Sequence, residues 1–403
     1  MTSLHPLHLL WRHLPPGPRR WAFSQATALL APRPHQPPPA VRLGVAVGGE
    51  LTRASGLGEG ARLMAASLQR LNIPVWTFEA GPNTAAGTDA ADSMPDNVPL
   101  VLHINAPMLP AALLRLPRRL LYGRRVIGFW AWELPTVPPA WHAGAAFVHE
   151  VWAPSRFTAA ALEAVAPGRV RVVPHPVAAS PPAPSALTRA DFGLPADAFV
   201  VLTSFSLASS FARKNPLASI AAFRAAFGAD PDKILVLKVS HTEHWPADLA
   251  LLRAAIAGAP NITLETRLLP PADNHALTAC ADVVLSLHRS EGFGLVPAEA
   301  MLLGRAVIAT DWSGTTDFLD AGCGVPIPYR LVPAVDPRGV FEAPGAVWAE
   351  ADTGAAAAAL IDLAADPARR ASLGEAARTA AHTRLGTEGL TQALRGLGME
   401  LPA

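Results

Sequence analysis

Two glutamates bracketing two glycines form the strongest chemical pattern in the chain. In LSLHRSEGFGLVPAEAMLLG, residues 285–304, a buried strand is expected to end at His288 and a helix to begin near Val296. Between them, Gly292 and Gly294 let the backbone come close to a ligand and take dihedrals that other residues resist. The helix start presents free amides at Gly294, Leu295 and Val296, where a phosphate group can sit. Glu291 stands before the loop and Glu299 in the first helical turn. A carboxylate repels phosphate, so the natural partners of both are sugar hydroxyls, which each can accept in pairs. Taken alone, the pattern also suits a plain glycine turn with Glu299 set against the helix dipole.

A second group lies in FSLASSFARKNP, residues 205–216, where Arg213 and Lys214 are adjacent cations just before a helix expected near Pro216. Fixed positive charge at a strand's carboxyl end suits a departing diphosphate, whose charge grows as its bond breaks. A solvated basic turn is the plainer alternative. A third group, GELTRASGLGEGAR at 49–62, puts Gly56, Leu57 and Gly58 at a strand-to-helix turn that can approach a phosphate or sugar, although tight turns need glycine anyway. A fourth is aromatic: Trp130, Trp132, Trp141 and Trp152 cluster around Glu133. Flat rings beside a carboxylate suit sugar faces, and core packing accounts for at least half of them.

Short apolar runs alternating with helical patterns must hold these groups. Strands are expected at 41–48, 73–78, 99–104, 125–132, 150–154 and 170–175, then at 198–206, 233–240, 261–266, 282–288 and 305–310. Near-continuous apolar strands separated by helices imply parallel sheets covered on both faces. The proline-rich, uncharged stretch 176–186 interrupts the alternation and has the composition of a linker. The fold class expected is therefore α/β: two Rossmann-like, doubly wound domains facing across a cleft. The division is a basic, proline-rich flexible tail at 1–40, an N-terminal lobe at 41–176 and a linker at 177–196. A C-terminal lobe at 197–385 and a final helix and tail at 386–403 complete it.

The frame EGFGLVPAE, with seven residues between Glu291 and Glu299, resembles the E-x7-E motif of family 4 glycosyltransferases of the GT-B fold. The match runs on through GRAVIATDWSGTTDFL. The resemblance implies transfer of a sugar from a nucleoside diphosphate donor to a hydroxyl of a saccharide or lipid-linked acceptor, with retained anomeric configuration and no metal or other cofactor. It implies that Glu291 contacts the donor sugar and Glu299 the ribose. Gly292, Phe293, Gly294 and Leu295 would face the donor sugar and diphosphate, and Arg213 and Lys214 would neutralise the phosphates. The glycine loop Gly56–Gly58 would lie near the acceptor. The histidine that such enzymes often carry at a strand end of the N-terminal lobe is replaced here by Trp132 and Glu133; His103 and His142 are the substitutes available. A non-catalytic two-lobed sugar-binding protein, or another GT-B enzyme such as a nucleotide-sugar epimerase, is the competing reading.

Composition excludes other classes. Half of the 403 residues are hydrophobic and 16% charged, with mean hydropathy +0.25, which argues against wholesale disorder. Thirty-three Lys and Arg nearly cancel 32 Asp and Glu, so no global basic field exists to hold nucleic acid. Two cysteines, Cys280 and Cys323, fit a reducing, cytoplasmic setting and no disulfide scaffold. The D-x-D string Asp230–Asp232 falls at a strand's amino end, away from the cleft, and reads as a turn. His241, Glu243 and His244 lack a zinc-motif spacing. No membrane span is expected. Within the first forty residues an alternative to a flexible tail is a basic interfacial element on the inner face of an anionic membrane.

Overall fold

The computed structural model describes residues 16–82, 94–341, 343 and 345–402. Strands Val45–Gly49 (β1), Val75–Glu79 (β2), Leu100–His103 (β3), Val126–Phe129 (β4), Glu150–Ala153 (β5) and Val170–Val172 (β6) form one sheet in the order β2-β1-β3-β4-β5-β6. Every pair in it is parallel. Strands Phe199–Ser206 (β7), Lys233–Ser240 (β8), Ile262–Glu265 (β9), Val283–Ser286 (β10), Ala306–Thr310 (β11) and Val325–Ile327 (β12) form a second parallel sheet, ordered β12-β11-β10-β7-β8-β9. That is the doubly wound order with one reversal per sheet, and it is the two-lobed α/β architecture expected from the alternation. β1, β3, β4 and β5 are buried along their whole length, as strands covered by helices on both faces must be.

The helices that matter to the site are Pro16–Leu30 (α1), Gly56–Arg70 (α2), Arg156–Leu162 (α3), Phe211–Lys214 (α4), Pro216–Phe227 (α5), Leu295–Leu302 (α6) and Glu388–Gly396 (α7). The sequence reading missed β12 and an antiparallel hairpin, Tyr329–Pro333 (β13) paired with Val347–Ala351 (β14). Pro326, Pro328 and Pro333 in these runs read as loop, because proline cannot donate to a ladder.

One segment assignment changes, and the linker and the C-terminal helix gain specific contacts. Of the supposed flexible tail, residues 1–15 lie outside the described residues, but 16–30 form α1. Its face of Ser24, Thr27, Ala28 and Ala31, at helical spacing, packs against Leu109–Leu113 and Pro139–Phe147. These residues are small rather than greasy, so the periodic signal was weak, and Pro16 and Pro18 sit in the first turn, where no helical hydrogen bond is lost. The linker is held to the C-terminal lobe by Arg189. The Arg189 guanidinium donates to the carbonyls of Cys280 (3.0 Å), Ala196 (2.7 Å) and Ala198 (2.8 Å) and to Asp282 (2.9 Å). Finally, α7 returns to the N-terminal lobe, where Leu390, Ala393 and Leu394 join Val45, Val47 and Trp152 in one core.

Candidate active site

In the second sheet the strand order reverses between β7 and β10. Loops leaving the two strands beside such a reversal diverge and open a crevice at their carboxyl ends. Those loops carry the two motifs. After β7, Ser210 caps α4 by accepting from the Arg213 amide at 3.2 Å, which turns Arg213 and Lys214 toward the loop after β10. Arg213 Nη1 donates to the Ser290 carbonyl at 2.6 Å and lies 3.0 Å from Glu291 Oε2. Its Nη2 donates to Ser209 Oγ and is 3.6 Å from Glu133 Oε1, across the lobe boundary. Lys214 Nζ pairs with Glu291 Oε1.

These charges set one another's protonation. Burial alone would raise the Glu291 carboxyl, but Lys214 and Arg213 beside it hold it well below the ordinary carboxylate range. Burial raises Glu133; the opposing pull of Arg213 does not cancel it, and Glu291 adds to the rise. Burial also lowers Lys214, against the attraction of Glu291. The cluster is thus a compact set of two cations and two carboxylates, and Glu291 sits where an incoming anion would meet both cations.

The glycine loop is held from both sides. Ser313 Oγ accepts from the Glu291 amide at 2.8 Å, and Gly292 O accepts from Ser155 Oγ, the cap of α3 in the other lobe, at 2.6 Å. Gly294 caps α6 with φ +103, and a Cβ there would stand 2.5 Å from Thr315 Cγ2; glycine is required on both counts. Helix α6 starts at Leu295, one residue earlier than expected, so the amides of Leu295 and Val296 are the free donors of its first turn.

Glu299 lies one turn into α6, and its carboxyl is pushed up to about 8 by burial and then by Glu59, in the first turn of α2 across the cleft. Its ordinary value is 4.5. The folded state therefore holds the proton more tightly than the unfolded chain, and stability falls as pH rises from about 4.5 through about 8. Glu299→Gln is expected to melt above the parent protein at pH above about 8, by about 1–3 kcal/mol after allowing for solvent screening. The gap should close as pH falls toward about 4.5. Melting curves across that range check it; a gap independent of pH would contradict the burial argument.

The N-terminal lobe departs further from expectation. Gly56 and Leu57 open α2, Ser55 caps it by accepting from the Gly58 amide at 3.1 Å, and a Cβ at Gly58 would stand 2.5 Å from Glu50 O. The turn thus needs Gly58 for its own packing, and its contribution to the cleft is Glu59 opposite Glu299. The tryptophans are core. Trp130, Trp132, Trp141 and Trp152 are all buried, and Trp132 Nε1 donates to Thr136 O at 2.9 Å, so no indole face is offered to a sugar. Trp132 acts through its backbone: its carbonyl accepts from Thr158 Oγ1 at 2.7 Å and lies against Gly292. His103 is not presented to the cleft either. It is 2% exposed, stacks on Phe129 at 4.4 Å, and both ring nitrogens lack a partner. His142 is exposed and makes no part of the cluster.

Sequence reasoning missed the loop between β13 and β14. Phe341 packs on Trp132 at 5.4 Å and lies under the Arg213 guanidinium at 5.5 Å. Asp336, 2% exposed, accepts from the Val340 amide at 2.9 Å and fixes that loop beside Ser210. Phe341, Ala346 and Trp348 belong to the core of the N-terminal lobe, so this hairpin ties the lobes together beside the cation pair. His175, also missed, wedges between Phe129 and Phe293, its imidazole pushed down to about 4 by burial. Asp230 forms the turn that was expected, accepting from the Asp232 amide at 2.9 Å.

Residues 212–366 match the family model described as Glycosyl transferases group 1. The match lies within the C-terminal lobe and takes in Arg213, Lys214, Glu291 and Glu299. The whole fold is GT-B. HepE of Anabaena, solved in complex with UDP and glucose, superposes with TM-score 0.59 at 15% identity, over 88% of this chain and 99% of its own. Sucrose-phosphate synthase from Thermosynechococcus elongatus gives TM-score 0.60 at 19% identity, over 90% and 99%. A glycosyltransferase from Rickettsia africae gives 0.60 at 14%, over 89% and 98%. No match is found among the curated proteins.

Proposed function

We propose that the protein is a retaining, metal-independent glycosyltransferase that moves a sugar from a nucleoside diphosphate sugar to a hydroxyl of a saccharide or lipid-linked saccharide. The observation that carries this reading is the convergence of Arg213, Lys214, Glu291 and the free amides of α6 at one strand-order reversal. Diphosphate oxygens would take over the two cations from Glu291 and accept from the α6 amides, which supply the charge neutralisation that a metal gives elsewhere. Glu291, released, would accept from hydroxyls of the donor sugar, and Glu299 from the ribose.

In the reaction the bond from the anomeric carbon to the phosphate oxygen breaks. The acceptor oxygen bonds to that carbon on the same face, and its proton passes to the leaving phosphate oxygen. Arg213 and Lys214 stabilise the charge that grows there, and no protein nucleophile takes part. Because HepE was solved with UDP, uridine diphosphate sugars are the first donors to test. The setting we assign is cytoplasmic, at the inner face of a membrane and in polysaccharide or glycoconjugate synthesis.

Incubation with UDP-, GDP- and ADP-sugars, followed by NMR of the anomeric proton, tests the reading. One donor is expected to be consumed with retained configuration, and EDTA should leave turnover intact. An inverted product would overturn the retaining step. Loss of turnover with EDTA, restored by magnesium or manganese, would overturn the metal-free one.

A further inference from the structure

Charge is divided unequally between the two parts of the chain. Residues 1–176 hold sixteen arginines, no lysine and nine acids, a formal +7, and the remaining residues carry −6 of the chain's +1. Within the first part the bias is local. No acid occurs in residues 1–49 or 97–132, and each stretch holds five arginines. The structure brings these two stretches together. Helix α1 packs on Leu109–Leu113, and the chain leaving α1 places His35 against Tyr122, ring centroids 4.4 Å apart.

The face so formed is apolar as well as basic. Leu29 is 83% exposed and Leu30 70%, on the side of α1 away from its packed residues. Phe23 on the same helix and Tyr122 on the neighbouring segment are exposed too. Between Leu114 and Tyr122 the outward positions include Arg115 and Arg118. A soluble surface gains nothing from leaving two consecutive leucines in water. A polymer of phosphates would match the arginines but offer the leucines no apolar partner. An anionic bilayer matches both, taking the apolar side chains at the acyl boundary and the guanidinium groups at the headgroups. Among the described helices none is long and apolar enough to cross a membrane.

We infer that α1 and the adjoining segment 114–122 form a docking surface for an anionic lipid bilayer. The surface belongs to the N-terminal lobe, and Tyr122 and His35 lie toward the amino end of β4. The inference does not depend on the transferase chemistry.

The test is co-sedimentation of the full chain with vesicles of phosphatidylcholine alone and of phosphatidylcholine with phosphatidylglycerol. Strong binding to the anionic vesicles, weakened by salt, is expected. Leu29→Glu with Leu30→Glu should abolish it, and Arg115→Glu with Arg118→Glu should weaken it by roughly 30-fold or more, each arginine being worth about fivefold near such a surface and each new acid adding repulsion. All four positions are on the surface, and circular dichroism confirms that the variants fold. Equal binding by parent and leucine variants would overturn the assignment, as would failure to bind anionic vesicles. Binding to short RNA or DNA duplexes in place of vesicles would show that the arginines serve phosphate polymers and would overturn it as well. None of these results bears on sugar transfer, which is read separately from donor consumption.

Discussion

Arg213→Ala is expected to cost about 3–5 kcal/mol of folding stability, read from the denaturant midpoint. The guanidinium is 2% exposed and serves Ser290 O, Ser209 Oγ, Glu291 and Glu133 at once. Removing it leaves the buried Glu291 with Lys214 alone and the half-buried Glu133 without its cation, and taking one partner out of a buried ion cluster is costly. Arg213→Lys should recover little, because one ammonium cannot reproduce the planar fork. Adding Glu133→Gln to Arg213→Ala removes one of the stranded charges and should restore part of the loss. A cost below about 1 kcal/mol, or no recovery in the double variant, would mean that the cluster is solvated and not the packed set described.

Lys214→Ala should behave differently, with a modest effect on stability and a large one on nucleotide binding. Glu291 keeps Arg213 as a partner at 3.0 Å when the lysine is gone, so no carboxylate is stranded. The lysine is the more accessible cation, with 19% of its side chain exposed against 3% for Arg213. An arriving diphosphate therefore meets Lys214 first, and its loss removes a charge-assisted contact worth about 1.5–3 kcal/mol. That is a weakening of roughly 10–150-fold in affinity for the nucleoside diphosphate, measured by calorimetry.

Both lobes were legible in the sequence because parallel strands covered on both faces are nearly continuous apolar runs. The strand 233–240 and the helix 216–227 were read to the residue. What the sequence hid falls into three physical kinds. Helix α1 buries small residues, so no greasy stripe announced it. The hairpin of β13 and β14 is proline-bearing and packs on the other lobe, a contact between residues far apart in the chain. In the site, residue types at strand ends marked Glu291, Arg213 and Lys214, and the fold brings all three into contact. The tryptophans and His103 carry the same chemical types, but their side chains turn into the core, and only packing decides that. Composition likewise concealed the +7 and −6 halves, because they cancel in the total.

The central claim is that the crevice at the β7–β10 reversal takes a nucleoside diphosphate on Arg213, Lys214 and the start of α6. Calorimetric titration of UDP, GDP and ADP into the parent protein and into Lys214→Ala tests it most directly. One diphosphate should bind the parent, its monophosphate more weakly, and the variant should bind that diphosphate roughly 10–150-fold more weakly. Failure of all three to bind, or equal affinity in parent and variant, would contradict the account.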